Sequence, residues 1–148
     1  YRCQDCTPEP NLCAECVVAT HRLKFDHRLL AWDKQEKTWI STNVFTLGHV
    51  LHLQHPSGEV CRDPEAHNTR MTLVHEHGII LNAMVRFCLC SAEPHSMQLL
   101  RHGLYPGTWG DWPRTAFTLT VMEVFEAHLL QAQSSVHDLY LILRRMTD

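Results

Sequence analysis

Six potential metal ligands crowd the first 27 residues, in the order Cys3-x2-Cys6-x6-Cys13-x2-Cys16-x4-His21-x5-His27. A CxxC pair sits on a tight turn and aims two thiolates at one ion. Zn2+ takes four nitrogen or sulfur ligands in a tetrahedron. Ligands packed this densely leave little room for a hydrophobic core, so an ion is expected to hold residues 1–32 together. Reduced, buried cysteines of an ordinary core explain two CxxC pairs and two histidines at this spacing poorly.

The rest of the composition bounds the answer. The chain has 148 residues, seven cysteines and twelve histidines. An odd cysteine count suits a disulfide framework badly and points to metal in a reducing compartment. Hydrophobic residues make up 45% and charged residues 20%, an ordinary globular balance. Thirteen Lys and Arg against sixteen Asp and Glu give a net charge of -3. That excludes a uniformly basic nucleic-acid-binding surface but leaves room for a local basic face. No apolar run is long enough for a transmembrane helix, and no signal-peptide pattern opens the chain. The start at Tyr1 rather than Met is read as a cut from a longer chain.

Periodicity divides the chain into three stretches and an α+β fold: a small zinc-bound, treble- or cross-brace-like module, a short-strand β region with a second zinc site, and a C-terminal helix pair. The first stretch is 1–32, followed by a polar loop or hairpin turn over Asp33 to Thr38. The second, 33–92, has short apolar groups at Val50-Leu51, Leu73-Val74, Ile79-Ile80-Leu81 and Met84 to Phe87. These are separated by Pro56-Ser57-Gly58 and by Gly78, a strand-and-turn pattern. His75 to Gly78 is expected to turn one strand into the next. The third, 93–148, opens on a turn-rich loop at Tyr105 to Pro113. Helical spacing follows at Phe117, Val121, Val124, Phe125 and Leu129. Ser135 and Asp138 form a capping box for a second helix, whose stripe is Val136, Leu139, Tyr140 and Leu143. The two helices are expected to pack as a pair.

A second ligand constellation lies in the middle stretch. Cys88-Leu89-Cys90 is a CxC at the end of an expected strand, where residues i and i+2 face the same way. Cys61 is the other cysteine nearby. His55 is the favoured fourth ligand, because a turn separates it from Cys61. His67, His75, His77 and His95 compete for that role.

Six ligands in the first cluster do not divide into fours. One division uses Cys3, Cys6, Cys13 and Cys16 for a single zinc and leaves the histidines structural. The segment also resembles the second part of ZZ-type and B-box zinc modules, through Tyr1-Arg2-Cys3-Gln4-Asp5-Cys6, Asn11-Leu12-Cys13-Ala14-Glu15-Cys16 and the histidine pair. That resemblance implies a cross-brace. Cys3, Cys6, His21 and His27 would bind one zinc, and Cys13 and Cys16 would be half of another site completed upstream of Tyr1.

A wider resemblance rests on several segments in order: the opening cluster, Leu53 to Cys61, Val85-Arg86-Phe87-Cys88-Leu89-Cys90, Leu99-Leu100-Arg101-His102-Gly103-Leu104-Tyr105-Pro106, Pro113-Arg114-Thr115-Ala116-Phe117-Thr118, and Arg144-Arg145-Met146-Thr147-Asp148. Together they resemble the CxC-type cysteine cluster domain on the N-terminal side of KDZ (Kyakuja, Dileera, Zisupton) transposases, abundant in mushroom-forming fungi. Two departures stand out. The family often has a histidine shortly after the glycine equivalent to Gly78, where this chain has Ile79 and Ile80. Trp109 to Trp112 form an altered or lengthened loop. The resemblance implies a nuclear, zinc-binding accessory region of a fungal DNA transposase. The RNase H-like catalytic core, with its carboxylate triad, would lie downstream of Asp148.

No catalytic residue is assigned within this chain, and Glu123 and Glu126 read as a solvated helix face. A four-ligand zinc is closed to water, which argues against a hydrolase or a ligase. Two functions are carried forward. One is recognition or positioning of transposon DNA, with Arg22, Lys24, Arg28, Arg101 and Arg114 as candidate phosphate contacts. The other is a protein-interaction or oligomerisation module for chromatin or transposase partners, which suits the acidic balance.

Overall fold

The structure, a computed structural model, describes residues 1–53, 55, 59, 61–62, 68–90 and 92–147. The proposed turn at Pro56-Ser57-Gly58 and the competing ligand His67 lie outside the described residues. Among the described residues the fold is mixed α+β, with four helices and two sheets. The chain forms two compact units, Tyr1–Leu51 and His52–Asp148.

The first unit is a three-stranded antiparallel sheet, in the order β1 (Arg2–Cys3), β2 (Leu29–Asp33), β3 (Thr38–Thr42), with α1 (Ala14–Thr20) between β1 and β2. The polar segment after β2 turns because Asp33 folds back on it. Its Oδ1 accepts the Gln35 and Glu36 backbone N–H groups at 2.7 and 3.2 Å. A 3-10 turn at Val44–Leu47 is capped by the Asn43 side chain, which accepts from Phe45 and Thr46. The buried apolar set is small: Val17, Phe25, Leu29, Val44 and Phe45, with the two phenyl rings 6.2 Å apart. So thin a core stabilises a unit of this size weakly.

The second unit is built on a five-stranded sheet in the order β4-β6-β5-β8-β7. These strands are β4 (Leu51–His52), β5 (Asn68–His75), β6 (Gly78–Arg86), β7 (Leu104–Pro106) and β8 (Thr115–Thr118). The β5–β6 hairpin aligns Asn68 with Arg86 and His75 with Gly78. β8 joins β5 in parallel, with Leu73 beside Ala116 and Val74 beside Phe117. Met71, Leu73, Ala83, Val85, Leu99, Leu104 and Ala116 fill the interior.

Three helices complete this unit: α2 (His95–Arg101), α3 (Leu119–Ala132) and α4 (Val136–Thr147). The helical spacing read from Phe117 onward overruns the observed start. Phe117 belongs to β8, and Thr118 caps α3 by accepting the Val121 N–H on its Oγ1 at 3.2 Å. The capping box opening α4 is reciprocal. Ser135 donates to Asp138 Oδ2 from its backbone and its hydroxyl, and Asp138 N–H donates back to Ser135 Oγ. Both helices lie on the hairpin end of the sheet through one cluster of Val74, Val121, Leu139 and Leu143, flanked by Ile79, Phe117 and Phe125. Among the described residues no helix is long and apolar enough to cross a membrane.

Candidate metal centres

In the first unit, Cys3, Cys6, His21 and His27 present ligand atoms that all lie within 4.8 Å of one another. Cys3 ends β1 and Cys6 follows it by one turn. His21 caps the C-terminus of α1, and His27 directly precedes the segment that enters β2. The loop carrying Cys6 is fastened to that segment. Arg28 donates its backbone N–H to Asp5 Oδ2 at 2.6 Å and its guanidinium to Oδ1 at 2.5 Å.

Three of the six separations among these ligand atoms are close to the edges of a tetrahedral metal site. With Zn–S about 2.3 Å and Zn–N about 2.0–2.1 Å, S–N edges are about 3.5 Å and S–S edges about 3.8 Å. Cys3 Sγ lies 3.4 Å from His27 Nδ1, and Cys6 Sγ lies 3.4 Å from His21 Nε2 and 3.5 Å from His27 Nδ1. His21 is buried, and its Nδ1–H donates to the Val17 carbonyl at 2.9 Å. That bond fixes the tautomer and leaves the Nε2 lone pair facing the thiols.

Burial raises the Cys3 thiol, and the adjacent Cys6 adds to the effect. Burial also lowers His27, which keeps its imidazole neutral and able to donate a lone pair. A divalent ion offsets the cost of gathering thiolates in one place, because coordinating thiols ionise outright.

Cys13 and Cys16 stand apart from this group. Cys13 caps α1, accepting the Cys16 N–H on its sulfur at 3.4 Å, and both thiols are exposed. The backbone donor of Cys16 lowers the Cys13 thiol, and Cys13 in turn raises Cys16.

The second unit gathers His55, Cys61, Cys88 and Cys90, again with all ligand atoms within 4.8 Å. The CxC pair lies just beyond the end of β6 at Arg86. Cys90 Sγ lies 3.2 Å from Cys88 Sγ, 3.7 Å from Cys61 Sγ and 3.1 Å from His55 Nε2. Two of these separations are shorter than ideal edges, so an ion would spread them by about half an ångström. Side-chain contacts with the Cys88 and then the Cys61 thiol push Cys90 up to about 12.

Cys88 is held by a residue that spacing did not mark. Gln98, on α2 and fully buried, accepts the Cys88 N–H on Oε1 at 2.8 Å and donates Nε2 to the Cys88 carbonyl at 2.9 Å. It also donates to the Glu93 carbonyl at 3.1 Å. A glutamine between Met97 and Leu99 carries no signal until α2 is seen to face the CxC loop. The competing histidines lie elsewhere. His75 and His77 stand at the hairpin turn, their rings 6.1 Å apart. The length of β6 separates that turn from the CxC pair, nine residues spanning ~26 Å from first to last. His95 packs edge-on against Phe87, ring centroids 4.5 Å apart.

The five candidate phosphate contacts divide between the units. Arg22, Lys24 and Arg28 belong to the first, Arg101 and Arg114 to the second. Arg28 is paired with Asp5, and Arg101 with Glu93. Arg22, Lys24 and Arg114 are exposed, and among the described residues none makes a salt bridge.

No curated protein and no solved structure matches the chain. A family model does, over residues 45–148, which includes the whole of the second cluster and leaves the first outside the match. On that match, covering more than half of its length, the chain belongs to the CxC2-like cysteine clusters associated with KDZ transposases.

Proposed function

We propose that this chain is a zinc-stabilised, non-catalytic accessory region of a nuclear KDZ-type DNA transposase, and that it helps to recognise or position transposon DNA. The observation that carries the reading is the pair of four-ligand clusters, Cys3-Cys6-His21-His27 and His55-Cys61-Cys88-Cys90. Four protein ligands close the coordination sphere, which suits a structural ion rather than one that activates water. Zinc fits the mixed sulfur and nitrogen donors better than calcium or magnesium, which take oxygen. Cys13 and Cys16 are exposed and adjacent, and in this reading they form half of a further site. The association with transposases supports DNA as the partner.

Native mass spectrometry of the chain should find one tightly held zinc for each of the two clusters. Binding to transposon-end and scrambled duplexes across a salt series tests the DNA role. Affinity that falls steeply with salt supports it, and absence of binding to either duplex removes it.

A second reading has its own support. α3 and α4 leave Leu130, Val136, Ile142 and Met146 substantially exposed. Exposed apolar side chains of this kind suit a protein partner or a second copy of the chain. Sedimentation of the purified protein would detect self-association through them.

A further inference from the structure

Two hollows on the second unit share the side chains of Trp112 and Arg114. One, about 500 Å3, is lined by Gly107, Thr108, Thr115 and Phe117 as well. The other, about 300 Å3, adds Thr69 and Arg70. Together they make a groove with an indole in its wall and two guanidinium groups beside it. Among the described residues no carboxylate lines either hollow, although the chain as a whole is acidic. Neither Arg70 nor Arg114 makes a salt bridge among the described residues.

The indole is held in place from behind. Phe87 is buried, His95 meets it edge-on with ring centroids 4.5 Å apart, and Trp112 packs at a tilt against His95 at 4.6 Å. His95 is further fixed by a hydrogen bond from Nδ1 to the Asp111 carbonyl. Trp112 nevertheless remains 54% exposed. An indole braced by two neighbouring rings and still more than half exposed is a pre-organised surface for one more planar group. The main chain of Arg114 is anchored to the sheet, its carbonyl accepting the Thr72 N–H at 2.8 Å where β8 joins β5.

A flat aromatic surface beside two uncompensated guanidiniums selects a ligand that is both planar and anionic. Methylated ammonium groups also seek tryptophan, but the two arginines repel them. A nucleotide meets both demands, the base by stacking and the phosphate by charge-assisted hydrogen bonds. The base must be unpaired, since a base in a duplex has its faces covered by its neighbours.

We propose that the groove formed by Trp112, Arg114 and Arg70 holds an unpaired nucleotide of a DNA strand, its base on the indole and its phosphate between the guanidiniums. This deepens the DNA-binding reading above and rests on it. Such a nucleotide occurs at frayed, nicked or overhanging ends, where a transposase-associated region would meet it.

The test measures binding of the zinc-loaded chain to a labelled single-stranded DNA, the blunt duplex of the same sequence, the matching single-stranded RNA and a deoxymononucleotide. The expected result is tighter binding of single-stranded DNA than of blunt duplex. Trp112→Ala should lower single-strand affinity about tenfold or more, and Trp112→Phe should restore part of it. Arg70→Ala and Arg114→Ala should each reduce the salt slope by about one. Wild-type single-strand affinity in all three alanine variants, with duplex binding intact, overturns the groove and leaves the broader reading standing. Failure of the unaltered protein to bind any DNA overturns that broader reading and the groove with it. Preference for RNA, or mononucleotide binding as tight as that of the strand, overturns the assignment to a DNA strand.

Discussion

Gln98 holds Cys88 by both of its backbone polar groups, accepting the N–H at 2.8 Å and donating to the carbonyl at 2.9 Å. The carboxamide does for one residue of the CxC loop what a neighbouring strand would do. Gln98→Leu preserves bulk but strands two buried backbone groups, at about 1–3 kcal/mol each. Zinc affinity of the second cluster should fall about 10- to 100-fold, as when an outer-shell partner of a metal ligand is removed. Chelator competition measures it. Unchanged affinity would show that the loop keeps its shape unaided.

The two clusters should differ in what depends on them. In the first unit the core is thin, so Cys3→Ser or Cys6→Ser should unfold residues 1–32, as should a strong chelator. In the second, the Val74-Val121-Leu139-Leu143 cluster sits at the hairpin end of the sheet, while the CxC pair lies past the opposite end of β6. Cys88→Ser should therefore loosen the CxC end and spare α3 and α4. Limited proteolysis with fragment mapping distinguishes the two patterns. Equal resistance in all variants would contradict a stabilising role for the ions.

Acid should release the first unit's metal and structure together. Burial sets the folded pKa of His27 below its ordinary value of 6.5. Protonation then favours the unfolded chain. The contribution is fully present above the ordinary value and is lost as pH falls through the lowered one. Protons also compete with the ion for the thiolates, in the same direction. Circular dichroism and zinc release, followed from neutral pH downward, should change in step. Structure that persists after the zinc has left would contradict the coupling.

Gly78 begins β6 with φ at +144°, and a Cβ there would meet Thr147 Oγ1 at 2.7 Å. That hydroxyl is engaged, accepting the Ile79 N–H at 2.7 Å and donating to the Leu143 carbonyl at 2.8 Å. Gly78→Ala should cost about 1–3 kcal/mol through backbone strain and displacement of the end of α4. Adding Thr147→Ala should relieve the collision but not the strain. Denaturant midpoints of the single and double variants separate the two effects.

Much of this molecule is legible in short spacings, because the geometry of ligands and caps is local. The CxxC and CxC pairs, the Ser135–Asp138 box and the alternating run of the β5–β6 hairpin all lie within a few residues of their partners. What spacing could not show is non-local. β8 looks like the start of α3 because Phe117 and Val121 keep helical spacing. Its membership in the sheet comes from parallel pairing with Thr72, Leu73 and Val74, more than forty residues earlier. α2 is a short helix whose decisive residue, Gln98, is polar and buried, contrary to an amphipathic pattern. Arg70 escapes notice among strand residues until the fold brings Arg114 and Trp112 beside it.

The order of the five-stranded sheet leaves β4 and β7 outermost, with two and three residues. One of them includes Pro106, which has no amide hydrogen to offer an incoming chain. Borders this brief present almost nothing for another polypeptide to zip onto, while the long members are hidden between neighbours. The five-stranded sheet is thereby guarded against runaway edge-to-edge polymerisation.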